Sequence, residues 1–300
     1  MTLLPLVTVV CLCHNQKKYV RFALESVLSQ TYKRIELIIV DDGSSDGSKD
    51  EILQFISEKG SFLFINNPTP IGNCKAFNKG FWLSKGEYII DLAADDMLLP
   101  KRVEEGINDF INATESTGVH FTDAFVTDEN GDITSNFYRK KRHRKATTTP
   151  PTGFIFKELL SGYFICPPTM MIKSKVLHDL SGYDERLSYE DFDFWIRSSR
   201  DWKYIFNPTP LVKKREVSKS LGKSQKQWRN KHLSSTYQVC LKALDLCDDV
   251  EEFSALIWRS IYEIKQCLQT GNFSLITGYL RLIKKCKAYR RLSSPESIDK

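Results

Sequence analysis

Three hundred residues, 41% hydrophobic and 27% charged, suit one sizeable domain with an appendage or two small domains, with ample chain to bury a core. No apolar run approaches the length that spans a bilayer, and a net charge of +6 is too modest to make nucleic acid an expected partner. Residues 1–10 lack the basic start and small-residue cleavage site of a signal peptide, so a cytoplasmic chain is expected. The eight cysteines, among them Cys11, Cys13, Cys240, Cys247, Cys267 and Cys286, show no zinc-quartet spacing and read as reduced, buried small hydrophobes.

Residues 6–12 predict an apolar strand, followed by the polar turn Cys13-His14-Asn15 and a helix over 19–28 with Val20, Ala23, Leu24, Val27 and Leu28 on one face. A second strand spans 35–40 and runs into Asp41-Asp42-Gly43-Ser44-Ser45-Asp46. Two strands around one amphipathic helix make a βαβ unit, which implies parallel pairing and a right-handed crossover. Ser44 or Ser45 is expected to cap the next helix, 47–57, before a short strand at 62–65. Pro70-Ile71-Gly72-Asn73 then opens a helix to about Ser84, ended by Gly86, and 88–92 is a fourth buried strand. That strand stops at Ala93-Ala94-Asp95-Asp96. Two parallel strands thus carry acidic pairs to one edge, an arrangement that calls for a cation or a hydrogen-bonding ligand.

After Pro100 the pattern gives a helix over 101–114, a strand over 119–126 and a hairpin turn at Asp128-Glu129-Asn130-Gly131-Asp132. A basic run at 139–145 leads into the Thr/Pro-rich loop 147–151, and a short helix is expected at 154–160 with an extended segment at 168–172. A third acidic cluster, Asp184-Glu185 through Tyr189-Glu190-Asp191-Phe192-Asp193, enters an aromatic helix with Phe194, Trp195 and Arg197. On these residues alone Asp191 reads equally as a helix cap with an acidic first turn. The aromatic residues are expected to pack in the core on one face, with any on the open face free to stack on a ring. From about 223 the text becomes long helices, broken at Asp248-Asp249 and Gly271-Asn272, with a basic stretch at 284–291.

Residues 6–221 resemble, in order and at ordinary spacing, the inverting glycosyltransferases of family 2. The resemblance is carried by Val7-Thr8-Val9-Val10 with Asn15, by Ile39-Val40-Asp41-Asp42-Gly43-Ser44-Ser45-Asp46, and by Gly72, Ala76, Asn78 and Gly80. Leu92-Ala93-Ala94-Asp95-Asp96 with Pro100 and Tyr189-Glu190-Asp191 with Trp195 and Arg197 complete it. It implies a GT-A fold: an α/β, Rossmann-like, mostly parallel sheet flanked by helices, here with a C-terminal helical extension. The implied division is a catalytic domain over 1–222, with a nucleotide-binding part over 1–100 and an acceptor-binding part over 101–222, and the extension over 223–300.

What the resemblance further implies is a hexosyltransferase that moves a sugar from a UDP-sugar donor to a hydroxyl of a glycan or lipid-linked acceptor in cell-surface polysaccharide biosynthesis. Cys13, Asn15, Asp41, Asp42, Lys75, Asn78 and Asp95 would hold the nucleotide, Asp95 and Asp96 a Mn²⁺ or Mg²⁺ ion, and Asp191 with Glu190 the general-base position. The chemistry needs these types: a cation neutralises the departing diphosphate, and a carboxylate takes the acceptor's proton. Two departures stand out. Ala93 and Ala94 precede Asp95 where the family carries an earlier Asp, and Glu216-Val217-Ser218 follow Arg215 where many members place a His. Lys219 or Lys223 is the substitute expected at the diphosphate.

The C-terminal helices have apolar stripes (Leu256, Ile257, Ile261, Ile264, Leu268) and a basic last helix. Packing on the catalytic domain, peripheral contact with anionic lipid at the inner face of the cell membrane, and a homodimer all remain open. Two further function classes are weighed against transfer: a sugar nucleotidyltransferase, and a nucleotide-sugar-binding or membrane-associated scaffold without turnover. The first calls for a Gly-rich phosphate loop, which Cys13-His14-Asn15-Gln16-Lys17 is not. The second is disfavoured by the joint presence of Asp41, Asp42, Asp95 and Asp191.

Overall fold

The computed structural model describes residues 4–138, 149–217, 228 and 232–292. The basic run 139–145, Ser218, Lys219 and Lys223 lie outside the described residues. The chain divides into two compact units, one of residues 1–153, 165–185 and 202–217, the other of 154–164, 186–201 and 218–300.

The first unit is built on strands whose β-branched runs are buried on both faces, as a sheet sandwiched between helices requires. β1 (Val7–Cys13), β2 (Ile35–Asp42), β3 (Leu63–Asn67) and β4 (Tyr88–Ala93) alternate with α1 (Val20–Leu28), α2 (Ser48–Lys59) and α3 (Asn73–Leu83). They pair in parallel in the order β3-β2-β1-β4. Val9, Ile39, Ile90 and Leu92 meet Leu24, Val27 and Phe55 in one apolar cluster. Beyond β4 come β5 (Met97–Leu98), α4 (Arg102–Ile111), β6 (Thr117–Thr127), β7 (Ile133–Asn136), β8 (Met171–Lys173), α6 (Ser174–Asp179) and β9 (Lys203–Arg215). β8 pairs antiparallel with both β4 and β6, so β6 runs in the direction of the first four strands; β9 runs parallel to β6, and β5 closes the order antiparallel to β9. Among the described residues six of the nine strands run in one direction and β5, β7 and β8 run against them, with helices around the sheet, which agrees with the expected α/β, mostly parallel architecture.

Several local expectations shift. Neither Ser44 nor Ser45 caps α2: the N-cap is Gly47, at φ 91°, and Asp46 Oδ1 accepts from the Ser48 backbone N–H at 2.9 Å. β2 extends through both aspartates, because Asp41 and Asp42 keep ladder partners in Asn66 and Asn67. The thirteen-residue β9 escapes the sequence pattern altogether, since Pro208 and Pro210 interrupt it and its register against β6 shifts there. The turn at Asp128 is a hairpin turn as expected, its carboxylate Oδ1 accepting from the backbone N–H groups of Asn130, Gly131 and Asp132 at 2.9–3.0 Å.

The second unit is helical: α5 (Phe156–Ser161), α7 (Asp191–Ser198), α8 (His232–Leu246), α9 (Val250–Gln269) and α10 (Phe273–Leu292). Asp249 caps α9 by accepting from the Glu252 N–H at 2.8 Å, which places the break at Asp248-Asp249 where the sequence puts it. Tyr279, Leu282 and Cys286 form the buried stripe of α10, at helical spacing. All eight cysteines are free and buried.

Candidate active site

The parallel register brings the acidic strand ends together. Cys13 stands opposite Asp41 across β1 and β2, Leu12 opposite Ala93 across β1 and β4, and the Ala94 N–H donates to Leu12 O at 2.8 Å. Asp41 and the Asp95-Asp96 turn therefore flank the same end of β1, the carboxyl edge at which open α/β sheets bind ligands.

The two aspartates of β2 fasten the loops of that edge. Asp41 is fully buried and accepts from Ser44, through the hydroxyl at 2.5 Å and the backbone N–H at 3.2 Å. Asp42 accepts from Asn67 Nδ2 at 3.0 Å and from the backbone N–H groups of Ile71 and Gly72 at 2.9 and 3.0 Å. Asn15, at φ 54°, completes the set: its N–H donates to Ser44 Oγ at 2.9 Å and its Oδ1 accepts from the Ser45 N–H at 2.8 Å. At Gly43 the β2–α2 turn and the β3–α3 loop touch backbone to backbone. A Cβ there would lie 2.5 Å from Pro70 N and Thr69 C, and φ is +66°, so only glycine fits.

Asp95 and Asp96 form the second half. Asp96 is buried, and its Oδ1 accepts from the Arg215 backbone N–H at 2.8 Å. Burial, followed by the neighbouring Asp95 charge, pushes the Asp96 carboxyl up to about 8. Burial also raises Asp95, although the Gln16 side chain hydrogen-bonds it. Arg215 organises the backbone here: Nε donates to Asp95 O at 3.1 Å, Nη1 to Asp128 O and Glu129 O at 3.2 and 3.0 Å, and the guanidinium lies 4.6 Å from the Tyr19 ring centre. The sequence holds no local signal for this role, because β9 itself is not legible there.

Among the described residues no cluster of three or more His, Cys, Asp or Glu side chains forms a complete metal cage. The adjacent carboxylates of Asp95 and Asp96 fit an ion held by one or two protein carboxylates plus substrate oxygens. Of the pair, Asp95 is the more accessible and Asp96 is turned to β9.

The remaining predicted nucleotide contacts have distinct surroundings. Cys13 is buried, which pushes its thiol up to about 11. Lys75 is exposed on the first turn of α3. The Asn78 amide is engaged by residues far along the chain: its Oδ1 accepts from the Tyr183 N–H at 2.9 Å, and its Nδ2 donates to Tyr183 O at 2.9 Å and Glu185 Oε1 at 3.1 Å.

In the second unit Asp191 is the first residue of α7 and Glu190 its N-cap, without a side-chain capping bond from Glu190. The segment before it is tied to α8. The Ser188 N–H donates to Ser235 Oγ at 3.0 Å, and the Tyr189 and Thr236 hydroxyls bond at 2.6 Å. Asp193 is buried between Arg197, whose Nε donates at 2.6 Å, and Lys242. Phe192, Phe194 and Trp195 are all buried, as expected of core aromatics, which leaves none of the three on an open face to stack on a sugar ring.

The glycosyl transferase family 2 model matches residues 8–180. A glycosyltransferase of Methanocaldococcus jannaschii, itself uncharacterized, is 34% identical over 215 residues, which is 70% of this chain and 71% of the relative. Of three Rickettsia relatives the chain spans 30%, 64% and 64%. Among solved structures, S. aureus TarS 1–349 in complex with UDP-GlcNAc superposes with a TM-score of 0.68 at 15% identity, covering 98% of this chain and 83% of TarS. The mannosyltransferase PcManGT of Pyrobaculum calidifontis, in complex with GDP-Man and Mn²⁺, gives 0.63 at 13% identity, over 97% and 86%. These likenesses carry the GT-A fold. The extent of the family match and the identity to the archaeal relative carry more: this chain is a glycosyltransferase and belongs to glycosyl transferase family 2.

Proposed function

We propose that the chain transfers a sugar, with inversion, from a nucleotide-sugar donor to a hydroxyl of a glycan or lipid-linked acceptor in cell-surface polysaccharide biosynthesis. The observation that supports it most is the shared carboxyl edge, where Asp41 and the Asp95-Asp96 turn flank the end of β1. The UDP-GlcNAc of TarS and the GDP-Man of PcManGT belong to those proteins; the UDP-linked reading is kept for this chain. Asp41 and Asn15 hold the loops that receive the nucleoside, with Cys13 at the strand end, Lys75 reaching for a phosphate, and Asp42 and Asn78 fixing the loop and helix around them.

Asp95, with Asp96 behind it, would hold Mn²⁺ or Mg²⁺, and the ion when bound would supply Lewis-acid neutralisation of the leaving diphosphate. Asp191, at the first position of α7 where helix N–H groups favour a carboxylate, is the general base, with Glu190 beside it. The division into a catalytic part over 1–222 and an extension over 223–300 is the working assignment. A thermal-shift panel of nucleotide sugars with and without Mn²⁺ tests the donor reading. One nucleotide class should raise the melting temperature only with metal present. No response to any nucleotide sugar would contradict it.

The last helix supports a membrane-facing role over a homodimer. The sequence of Phe273–Leu292 holds no acidic residue, and Arg281, Lys284, Lys285, Lys287 and Arg290 are exposed with Phe273 and Leu280. Among the described residues no helix is long and apolar enough to cross a membrane. Flotation with vesicles rich in anionic phosphatidylglycerol, but not with phosphatidylcholine alone, is expected; equal flotation with both refutes the electrostatic part.

A further inference from the structure

The first unit holds a cavity of about 410 Å³ whose lining includes Lys18, Tyr19, Phe22, Glu129, Lys213 and Arg215. It is formed by the start of α1, by β5, by the C-terminal end of β9 and by the β6–β7 turn. That volume falls within the range of small-molecule sites, about 300–1,000 Å³. None of Asp41, Asp42 or Asn15 lines it, so it is separate from the loop cluster assigned to the nucleoside.

Its chemistry is selective. Phe22 is 52% exposed on α1, while Val20, Ala23, Leu24 and Val27 of the same helix are buried. The Tyr19 ring is held in place by the Arg215 guanidinium on it. Exposed Lys18 and half-buried Lys213 add two ammonium groups, so among the described residues of the lining three cations face one carboxylate, Glu129. Aromatic rings beside ammonium groups match a ligand with an apolar ring face and a negative substituent. A free inorganic anion would leave the rings unused, and a neutral sugar would leave the charge unused.

We propose that this pocket is a second saccharide site, which takes a sugar ring bearing an anionic substituent, carboxylate or phosphate. Arg215 joins it to the metal half of the candidate site, since the same side chain that walls the pocket donates to Asp95 O and its backbone N–H to Asp96. Occupancy of the pocket therefore bears on the turn that carries both acidic residues. The binding claim does not depend on the assignment of donor or base.

The test is titration of the whole ¹⁵N-labelled chain, followed by NMR and calorimetry, with a digalacturonate, glucose 1-phosphate and maltose. The proposal expects one of the two anionic sugars to bind at least about tenfold more tightly than maltose, with shifts at the backbone amides of Lys18, Phe22 and Lys213. Which of them binds identifies the substituent. Lys18→Glu with Lys213→Glu should weaken that binding at least about tenfold, and Phe22→Ala should weaken the binding of the same anionic sugar and any residual binding of maltose. All three side chains are at least partly exposed, and unchanged melting temperatures verify the fold of the variants. Equal affinity for maltose, absence of binding at millimolar concentration, indifference to the charge reversals, or competitive displacement by UDP would each overturn it. Failure of UDP to bind would count against the donor reading and leave this test intact.

Discussion

Replacing Arg215 by Met is the sharpest probe of how the acidic turn is held. The substitution keeps the backbone N–H that serves Asp96 and much of the aliphatic stem. It removes the Nε bond to Asp95 O, the Nη1 fork to Asp128 O and Glu129 O, and the stack on Tyr19. Counting the fork as one interaction, two hydrogen bonds from a charged donor are each worth about 1.5 kcal/mol, and the cation–π contact adds about 0.5–1. The expected loss is about 3–4 kcal/mol. Urea unfolding followed by tryptophan fluorescence measures it, with the slope checked for two-state behaviour in the first unit. Arg215→Lys should recover less than half, because an ammonium cannot serve the Nε and Nη1 acceptors together. A loss below about 1 kcal/mol, or full rescue by lysine, would refute the claim that this guanidinium organises the turn.

Stability should also fall in acid through His120. This imidazole is buried, with Nε2 2.8 Å from Asp109 Oδ2, and burial outweighs that carboxylate to bring it down to about 4, with the Arg102 charge acting in the same downward direction. An unfolded histidine takes its proton near 6.5, so the contribution is complete above that pH and drains away as pH falls towards 4, by about 3 kcal/mol. Asp109, held low chiefly by its hydrogen bond from His120, loses stabilisation in the same direction. Denaturant midpoints at pH 7 and pH 4.5 should converge in His120→Gln; an unchanged pH dependence in that variant would exclude His120 as the source. Gly43→Ala should cost at least about 2 kcal/mol, from the left-handed backbone and the 2.5 Å approach to Pro70 N and Thr69 C. The melting temperature should drop by at least about 4 °C, and a drop under about 1 °C would show that the loops yield easily.

The edge of the sheet was readable because its signals are local. Ile38, Ile39 and Val40 running into Asp41-Asp42-Gly43, and Ile89 to Leu92 running into Asp95-Asp96, announce both strands and the acidic edge they reach, although β2 continues through its two aspartates. What those carboxylates do was not local. Asp42 bonds to Asn67, Ile71 and Gly72, and Asn78 bonds to Tyr183, 105 residues away, partners that only the closed loops and the packed sheet bring near. β9 failed to show for a related reason: Pro208 and Pro210 erase the alternation, and its pairing with β6 is a tertiary fact. The same holds in the second unit. Arg259, 4.4 Å from the Phe192 ring centre and paired with Glu263, joins a residue of α7 to one of α9 that nothing in the intervening sequence links.

Transfer with inversion, with Asp191 as the base and Asp95 at the metal, is the central claim. Its most direct measurement is the turnover of Asp191→Asn and the anomeric configuration of the product, read by NMR with the donor and metal that the thermal-shift panel identifies. The account predicts a product inverted relative to the donor and a kcat in Asp191→Asn lower by about 10²–10⁴, with donor binding retained. A product of retained configuration, or wild-type kcat in Asp191→Asn, would contradict it.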